Sequence, residues 1–221
     1  MPHFLILQLK GPMQAWGTHT YEDFRPSNLF PTRSGLLGLI GACLGIDRRD
    51  HEGLDQLAKS VEFTIKVDQL GIKLPDYHTI IEARRANRKP KEGETVQTRR
   101  EYLFDAAFHV AIGERPGSTI RLDDIAKAVQ RPIYTPSLGR RSCPLSAPLF
   151  DSKQEAETGE DALNILFGKK GVVYDEKKPL DERPFLVLRD VPMRGKTRLF
   201  ATRMVYIHAE KKEDHDVSQP N

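Results

Sequence analysis

Three separated segments of the chain combine flexible backbone with side chains that can bind an anion or stack on a base. They have the sequences GPMQAWG (11–17), TRSGLLG (32–38) and TPSLGRRSCP (135–144). Glycine-rich turns and helix N-termini hold anions through backbone N–H groups and the helix dipole. Single-stranded RNA is bound by basic grooves that also contain aromatic platforms. Together the three segments predict an RNA-binding surface.

The candidate RNA-binding residues lie in these segments and in the elements beside them. They are Gln14, Trp16, Gly17, Arg25, Arg33, Ser34, His78, Arg99, Arg100, Tyr134, Gly139, Arg140 and Arg141. Arginine side chains and backbone N–H groups would contact phosphates, and the aromatic rings would stack on bases. Two alternatives stay open, because a lone tryptophan also suits a hydrophobic core and an arginine pair also suits a solvated face.

Tyr77 and His78 raise the alternative of metal-independent RNA cleavage. Such a reaction can use a histidine as general base and a lysine or arginine to stabilise the developing charge. The nearest lysine is Lys73, five residues before His78. The chain has no phosphate-loop, dinucleotide, HExxH or GxSxG motif. We therefore predict no catalytic residue and no cofactor, and we expect His78 to contact RNA or to cap a hairpin.

Cysteine usage and charge limit the other possibilities. Cys43 and Cys143 belong to no CxxC or Cys/His cluster, so no metal site is predicted, and Cys43 is expected in the core. The formal net charge of +3 is too small to indicate a nucleic-acid partner by itself. The N-terminal run MPHFLILQLK has no signal-peptide flanks, and no segment approaches the roughly 20 apolar residues of a membrane span. We therefore expect a cytoplasmic protein.

Hydrophobic periodicity predicts an α+β fold. The expected strands are at 3–10, 61–70, 101–113, around 145–150 or later, 183–189 and 197–208, and the expected helices are at about 32–46, 52–60 and 121–130. Up to residue 130 the order is strand, helices, strand, insert, strand, helix. This is the order of a ferredoxin-like, RNA-recognition-type sheet.

The insert between the second and third strands spans about residues 71–100. Its second half, 84–100, has seven basic and two acidic residues and almost no large apolar side chain, so we expect a projecting hairpin or arm. We place an RNA-recognition-type domain at 1–150 and a β-containing extension at 151–221. Within the extension we expect a solvated acidic loop at 151–161 and a disordered tail from about 210.

A stripe of glycines occupies one side of the first predicted helix, at Gly38, Gly41 and Gly45. A glycine inside a helix costs about 1 kcal/mol relative to alanine. The stripe therefore predicts that something packs very close to the helix. Either a neighbouring strand or helix or an RNA backbone would fit.

Several motifs, in order and spacing, resemble the type I-E CasD family, whose members belong to the CRISPR Cascade surveillance complex. The motifs are GPMQAWG, FPTRSGLLGLIGACLGI, PDYHT, QTRREYLFDAAF and YTPSLGRRSCPL, and they cover roughly residues 1–150. The resemblance implies a modified RNA-recognition-type sheet with a projecting thumb. It also implies guide RNA, the Cascade backbone subunits and the large subunit as partners, with target DNA reached only through the complex.

The resemblance further implies a non-catalytic role in antiviral defence, in which the subunit caps the 5′ handle of the guide RNA. The handle-contacting positions that it carries over are Gln14, Trp16, Arg33, Ser34, Arg100, Arg140 and Arg141. Arg99 stands where the family has an aromatic residue, which puts a stacking role there in doubt. In a related type I-C branch the equivalent subunit is itself a nuclease, so an endoribonuclease remains the alternative. A purely structural adaptor is the third hypothesis.

Overall fold

The structure is a computed structural model that describes residues 1–18, 23–82, 89, 92–193 and 199–209. These residues form 13 strands and four helices in a mixed α+β fold whose sheets are almost entirely antiparallel. No helix in the described ranges is long and apolar enough to cross a membrane.

The elements follow the predicted order with additional short strands. The strands are β1 (His3–Lys10), β2 (Met13–Gln14), β3 (Trp16–Gly17), β4 (Phe24–Arg25), β5 (Ser27–Asn28), β6 (Val61–Gln69), β7 (Ile72–Ile81), β8 (Thr95–Phe104), β9 (Ala107–Glu114), β10 (Phe150–Glu155), β11 (Val172–Asp175), β12 (Phe185–Met193) and β13 (Leu199–Ala209). The helices are α1 (Arg33–Leu44), α2 (His51–Ser60), α3 (Leu122–Gln130) and α4 (Gly159–Phe167).

A seven-stranded antiparallel sheet forms the centre of the fold, in the order β10-β1-β9-β6-β11-β13-β12. The first four of these strands all lie within residues 3–155. Helices α1 and α2 connect β1 to β6, and α3 lies between β9 and β10. Strands β11, β13 and β12 extend the same sheet beyond β6.

Helices cover both faces of the strands β1 and β9. Leu5, Leu7 and Leu9 on β1 belong to the main core, which also contains the apolar sides of α1, α2 and α3. Phe4 and Ile6 point the opposite way and pack with the buried side chains of α4. The alternation follows from the two-residue period of a strand, which sends neighbouring side chains to opposite faces. Both faces of β1 are therefore buried.

The prediction of one strand over 101–113 is wrong. β8 ends at Phe104 and pairs with β7 in a small second sheet, whereas β9 begins at Ala107 and lies in the central sheet. Between them Asp105 has a φ of 55°, a left-handed conformation that is uncommon for a residue with a side chain. This residue redirects the chain from one sheet to the other.

Strands β7 and β8 form the hairpin predicted for the insert at 71–100. Their antiparallel register runs from the Ile72–Phe104 pair to the Ile81–Thr95 pair. The predicted arm at 84–100 lies partly outside the described residues, at 84–88 and 90–91. The tail that we expected to be disordered from about 210 also lies outside them.

The expectation of an acidic loop at 151–161 is wrong. This segment contains the edge strand β10 and the first turn of α4. Exposed and half-buried residues alternate along β10, so its acidic side chains do not enter the core. Thr158 caps α4 by accepting a hydrogen bond from the backbone N–H of Asp161 at 3.1 Å. The acidic residues at the start of α4 also suit the positive end of the helix dipole.

Candidate nucleic-acid interface

A groove of about 670 Å³ lies where the three predicted segments meet. Gly17 contributes from the first segment, Ser34 from the second, and Gly139 with Arg140 from the third. Arg25 lines the same groove from the short strand β4. The structure therefore brings together residues that are more than 100 positions apart in the sequence.

The groove is positively charged. Its lining contains Arg25, Arg140 and Arg189, and the described lining residues include no aspartate or glutamate. None of these three arginines has a carboxylate partner among the described ion pairs. Another cavity, of about 770 Å³, lies elsewhere and mixes the two signs of charge, with Glu62 and Glu114 beside Arg121, for example. The first groove is the one suited to a polyanion.

Backbone packing fixes the position of Arg140. Gly139 has a φ of 90°, and a Cβ atom there would lie only 1.8 Å from the carbonyl oxygen of Ala15. Ala15 in turn donates its N–H to the carbonyl of Leu138 at 3.0 Å. The loop 135–144 is thus docked tightly on the first segment, and a larger residue at 139 would separate them.

The Arg140 guanidinium bridges the groove and the hairpin. It donates to the carbonyl of Arg25 at 3.0 Å and lies 4.8 Å from the ring centroid of Tyr102. Burial by itself would raise the pKa of Tyr102, but hydrogen bonds from Ser142, Arg140 and Arg100 hold it below its ordinary value. Arg100 on the hairpin and Arg140 thus both act on the Tyr102 hydroxyl.

Gln14 and Trp16 are core residues, so their predicted contact with RNA is corrected. Both are fully buried. The indole N–H of Trp16 donates to Oε1 of Gln14 at 2.9 Å, and Nε2 of Gln14 donates to the carbonyls of Ala106 at 2.7 Å and Leu9 at 3.2 Å. A ring with no exposed surface cannot serve as a stacking platform for a base. The two side chains instead support the backbone of the first segment.

Arg33 is also buried, and its predicted contact with phosphate is corrected. Its guanidinium pairs with Glu176 and donates to the carbonyls of Ala58 at 2.6 Å and Val61 at 3.1 Å. Glu176 accepts from the N–H of Phe63 at 3.3 Å and contacts further arginines. This arrangement satisfies a buried charge inside the protein.

The N-terminus of α1 already holds an anion. Asp190 accepts a hydrogen bond from the backbone N–H of Arg33 at 2.7 Å. The hydroxyl of Thr32, the N-cap residue, accepts one from the backbone N–H of Gly35 at 3.3 Å. The predicted phosphate site on these N–H groups is therefore corrected, since protein side chains occupy them. Ser34 remains half-buried in the groove wall.

The glycines of α1 have different surroundings. A Cβ at Gly41 would meet Leu54 at 3.2 Å, and one at Gly35 would meet the Trp16 ring at 2.7 Å. Gly45 ends the helix with a left-handed φ of 74°. Gly38 lines the groove, and a Cβ there would meet nothing within 4 Å. Within the glycine stripe, Gly41 and Gly45 thus pack against other side chains, whereas Gly38 faces the open space of the groove.

The remaining candidates lie outside the groove lining. Tyr77 and Arg99 face each other across the hairpin and line a smaller cleft of about 420 Å³. His78, the next residue along β7, lies on the opposite face, with its Nε2 atom 2.6 Å from Oδ2 of Asp76 but without hydrogen-bond geometry. Tyr134 directly precedes the third segment, Arg141 lies within it, and both are exposed.

From the C-terminal strands, Arg189 on β12 and Phe200 on β13 line the groove, and neither was predicted from the sequence. The strands were expected, but no local motif marks either residue. Both cysteines are buried and unpaired, and burial raises the pKa of Cys43 to about 11. Among the described residues, no group of three or more His, Cys, Asp or Glu side chains could hold a metal ion.

Comparison with known proteins gives concordant matches. A family model described as CRISPR-associated protein (Cas_Cas5) matches residues 4–207. The CRISPR system Cascade subunit CasD of Escherichia coli (strain K12) is 45% identical over 227 residues, which cover 99% of this chain and 100% of that protein. A chain of a solved structure titled "CRISPR RNA-guided surveillance complex" is 29% identical with a TM-score of 0.75, over 93% of this chain and 89% of that one. A second, titled "Crystal structure of Cas protein", is 25% identical with a TM-score of 0.64, over 93% of each chain.

Proposed function

This chain belongs to the CRISPR-associated Cas5 family of Cascade subunits, and we propose that it caps the 5′ handle of the guide RNA there without cutting RNA. One observation carries the proposal. The described lining of the 670 Å³ groove has three arginines and no carboxylate, and three separate segments of the chain converge on it. A groove of this kind can follow the phosphates of a single strand.

The order of the elements supports an RNA-recognition-type assignment for the first part of the chain. A β-α-β-β-α-β unit has its four strands, in chain order, at β1, β6, β9 and β10. In the sheet they lie in the order β10-β1-β9-β6, so that the fourth strand is beside the first and the third lies between the first and the second. We propose that residues 1–150, completed by β10, form this ferredoxin-like unit and that 151–221 extend it. The groove is lined mostly by this unit and receives Arg189 and Phe200 from the extension.

The geometry of the hairpin does not bring Tyr77, His78 and Lys73 together. A cleavage site would need the base and the charge-stabilising group on the same phosphodiester. Tyr77 and Lys73 share one face of β7, whereas His78 lies on the other. Lys73 is held by Glu101 at 3.2 Å. The alternative of a metal-independent endoribonuclease built on Tyr77 and His78 is therefore the less favoured function.

A single assay tests binding and cleavage together. The purified full-length chain is mixed with its labelled cognate repeat RNA in EDTA or in Mg²⁺, and both bound fraction and RNA length are followed for hours. We expect binding with intact RNA in both buffers. Cleavage at one phosphodiester that His78→Ala abolishes without loss of affinity would establish the nuclease instead. Failure to bind RNA would favour a purely structural adaptor.

The contributions of Arg140, in the groove, and Arg141, beside it in the sequence, are tested by salt dependence. Changing Arg140 and Arg141 to Ala should weaken binding and flatten the dependence of affinity on salt. Each lost phosphate contact on a single strand should lower the logarithmic slope by about 0.7. Arg121→Ala is the control for removing an arginine elsewhere, because Arg121 lines the other cavity and pairs there with Glu114. An unchanged slope in the double variant would contradict direct phosphate contact.

We also propose that the hairpin β7–β8 is the thumb that contacts a neighbouring backbone subunit. Ile72, Leu74, Tyr77 and Ile81 on β7 are all exposed, an unusual set of large apolar side chains for one solvent-facing strand. Ile81→Lys should leave the chain folded, since its side chain is 68% exposed, and should reduce co-purification with the backbone subunits. Normal assembly of this variant would argue against a thumb contact at that position.

A further inference from the structure

The C-terminal hairpin β12–β13 forms one wall of the groove. Arg189 on β12 and Phe200 on β13 both line it, although they lie far from the three motif segments in the sequence. The two residues are joined, because Nε of Arg189 donates to the backbone carbonyl of Phe200 at 3.0 Å. An aromatic ring and an exposed guanidinium therefore occupy neighbouring positions on the same wall.

A break in strand register orients this wall. The pairing of β12 with β13 shifts between Arg189 and Val191, so Asp190 lies at a bulge. Bulges re-aim side chains at the edges of sheets. Here Asp190 is buried and accepts two hydrogen bonds from Arg203, at 2.7 and 2.8 Å, whereas Arg189 is exposed toward the groove. The bulge thus places Asp190 inside the protein, where it anchors the hairpin, and Arg189 outside, at the groove.

The anchor joins the hairpin to the helix that forms the floor of the groove. Asp190 also accepts the backbone N–H of Arg33, the first residue of α1, at 2.7 Å. Arg203 contacts Glu176, which pairs with the side chain of Arg33. The wall carrying Arg189 and Phe200 is therefore fixed relative to Ser34 and Gly38 on α1 by buried ionic contacts.

The sequence motifs contribute no aromatic ring to the described lining of the groove. Trp16, the aromatic residue of the first motif, is fully buried, and Tyr134 does not line the groove. Among the described lining residues, Phe200 is the one aromatic side chain, and it is half-buried. A groove that binds single-stranded RNA gains sequence-tolerant affinity when bases stack on such a ring.

We propose that Phe200 stacks on a base of the bound single strand and that Arg189 contacts an adjacent phosphate. The C-terminal strands are then part of the RNA site, not only a support for it. This inference rests on the proposed RNA-binding function and adds two specific contacts to it.

The test uses the full-length chain and synthetic cognate repeat RNAs, each with one abasic position in the 5′ segment, in a fluorescence-polarisation titration. Phe200→Leu should bind intact RNA about 5- to 150-fold more weakly, and Phe200→Tyr should bind nearly normally. One abasic RNA should bind the unmodified chain and Phe200→Leu with equal affinity, because the stacking partner is missing from both complexes. Phe185→Leu is the matched control, an exposed phenylalanine of the same hairpin outside the groove lining.

Arg189→Gln should lower the salt slope by about 0.7. The thermal unfolding midpoints of all variants are measured alongside, so that loss of folding is separated from loss of binding. Affinity loss in Phe200→Leu that persists on every abasic RNA would overturn stacking. Normal binding by Phe200→Leu, while the Arg140 and Arg141 double variant binds weakly, would overturn this inference and leave the proposed function standing. If the unmodified chain does not bind the RNA, both fail.

Discussion

The carboxylate of Asp190 accepts a hydrogen bond from the backbone N–H of Arg33 at 2.7 Å, across 157 positions of sequence. An anion from the C-terminal hairpin is thereby placed at the positive end of α1, where the dipole stabilises it. The same carboxylate accepts two hydrogen bonds from the guanidinium of Arg203. Burial opposes the charge of Arg203, but its hydrogen bonds to Asp190 and the charge of Glu176 outweigh that effect and raise its pKa.

Removal of Asp190 should destabilise the fold strongly. In Asp190→Ala the buried guanidinium of Arg203 loses its bidentate partner, and breaking a buried pair in this way costs about 3–5 kcal/mol. Urea unfolding followed by circular dichroism measures the change in the free energy of unfolding. Asp181→Ala is the control, because Asp181 is an exposed aspartate that also pairs with an arginine. A similar unfolding midpoint for the two variants would show that the buried anchor contributes little.

Trp16 should be needed for stability and not for RNA stacking. Trp16→Ala should lower the free energy of unfolding by about 3–5 kcal/mol, because it leaves a cavity beside Gly35. Trp16→Phe should cost less and mainly leave Oε1 of Gln14 unpaired, for about 1–3 kcal/mol. Tyr134→Ala serves as the exposed aromatic control. If Trp16→Ala folded normally but lost RNA binding, the original stacking interpretation would be restored.

Local signals in the sequence predicted α1, α2 and α3 well, but α4 was missed. Thr32 and Asp50 cap α1 and α2 through their side chains, and the apolar spacing of each helix is visible without any knowledge of the partner it packs on. The strand at Val61–Gln69 was predicted equally well by its two-residue period. The break at Asp105 was missed because apolar residues alternate through it without interruption, and only the backbone dihedral marks the change of sheet.

The misassigned site residues depend on contacts that are distant in sequence. The guanidinium of Arg33 meets Glu176 143 positions later, and Gln14 meets the carbonyl of Ala106 92 positions later. No local pattern distinguishes an arginine that will pair internally from one that will face a ligand. Gly139 and Arg140, predicted as RNA contacts from their local motif, do line the groove. The close approach of Gly139 to the Ala15 backbone is what requires glycine there.

Asp175 should make stability depend on pH. Burial raises its pKa from the ordinary 3.8 to about 6, against the opposing hydrogen bonds from the Lys177 backbone and Thr64. The folded state therefore binds this proton more tightly than the unfolded state. The protonated carboxyl favours folding fully below pH 3.8, and that contribution is lost as the pH rises toward 6.

Asp175→Asn should accordingly stabilise the chain at pH 7.5, by up to about 3 kcal/mol, and should have little effect near pH 4. The amide keeps an acceptor for the Lys177 N–H and carries no charge to desolvate. Urea unfolding of both proteins at the two pH values measures the difference. Asp181→Asn controls for surface aspartates. An equal change at both pH values would mean that the charge of Asp175 is not the cause.

Two glycines three residues apart on α1 should respond oppositely to the same change. Gly38→Ala should stabilise the helix by about 1 kcal/mol, because alanine is the better helix former and its Cβ would meet nothing within 4 Å. Gly35→Ala should destabilise the fold by about 1–3 kcal/mol, since its Cβ would lie 2.7 Å from the buried Trp16 ring. Thermal unfolding of the two variants gives the comparison.

A longer side chain at position 38 separates folding from function. Gly38→Gln places an uncharged side chain in the groove beside Ser34, where the structure leaves room for a ligand. We expect an unfolding midpoint at or above that of the unmodified chain and a clear loss of affinity for the repeat RNA, because the strand can no longer approach the helix backbone. Lys127→Gln on the exposed side of α3 is the control for added glutamine. Undiminished affinity in Gly38→Gln would mean that the RNA does not pass over α1.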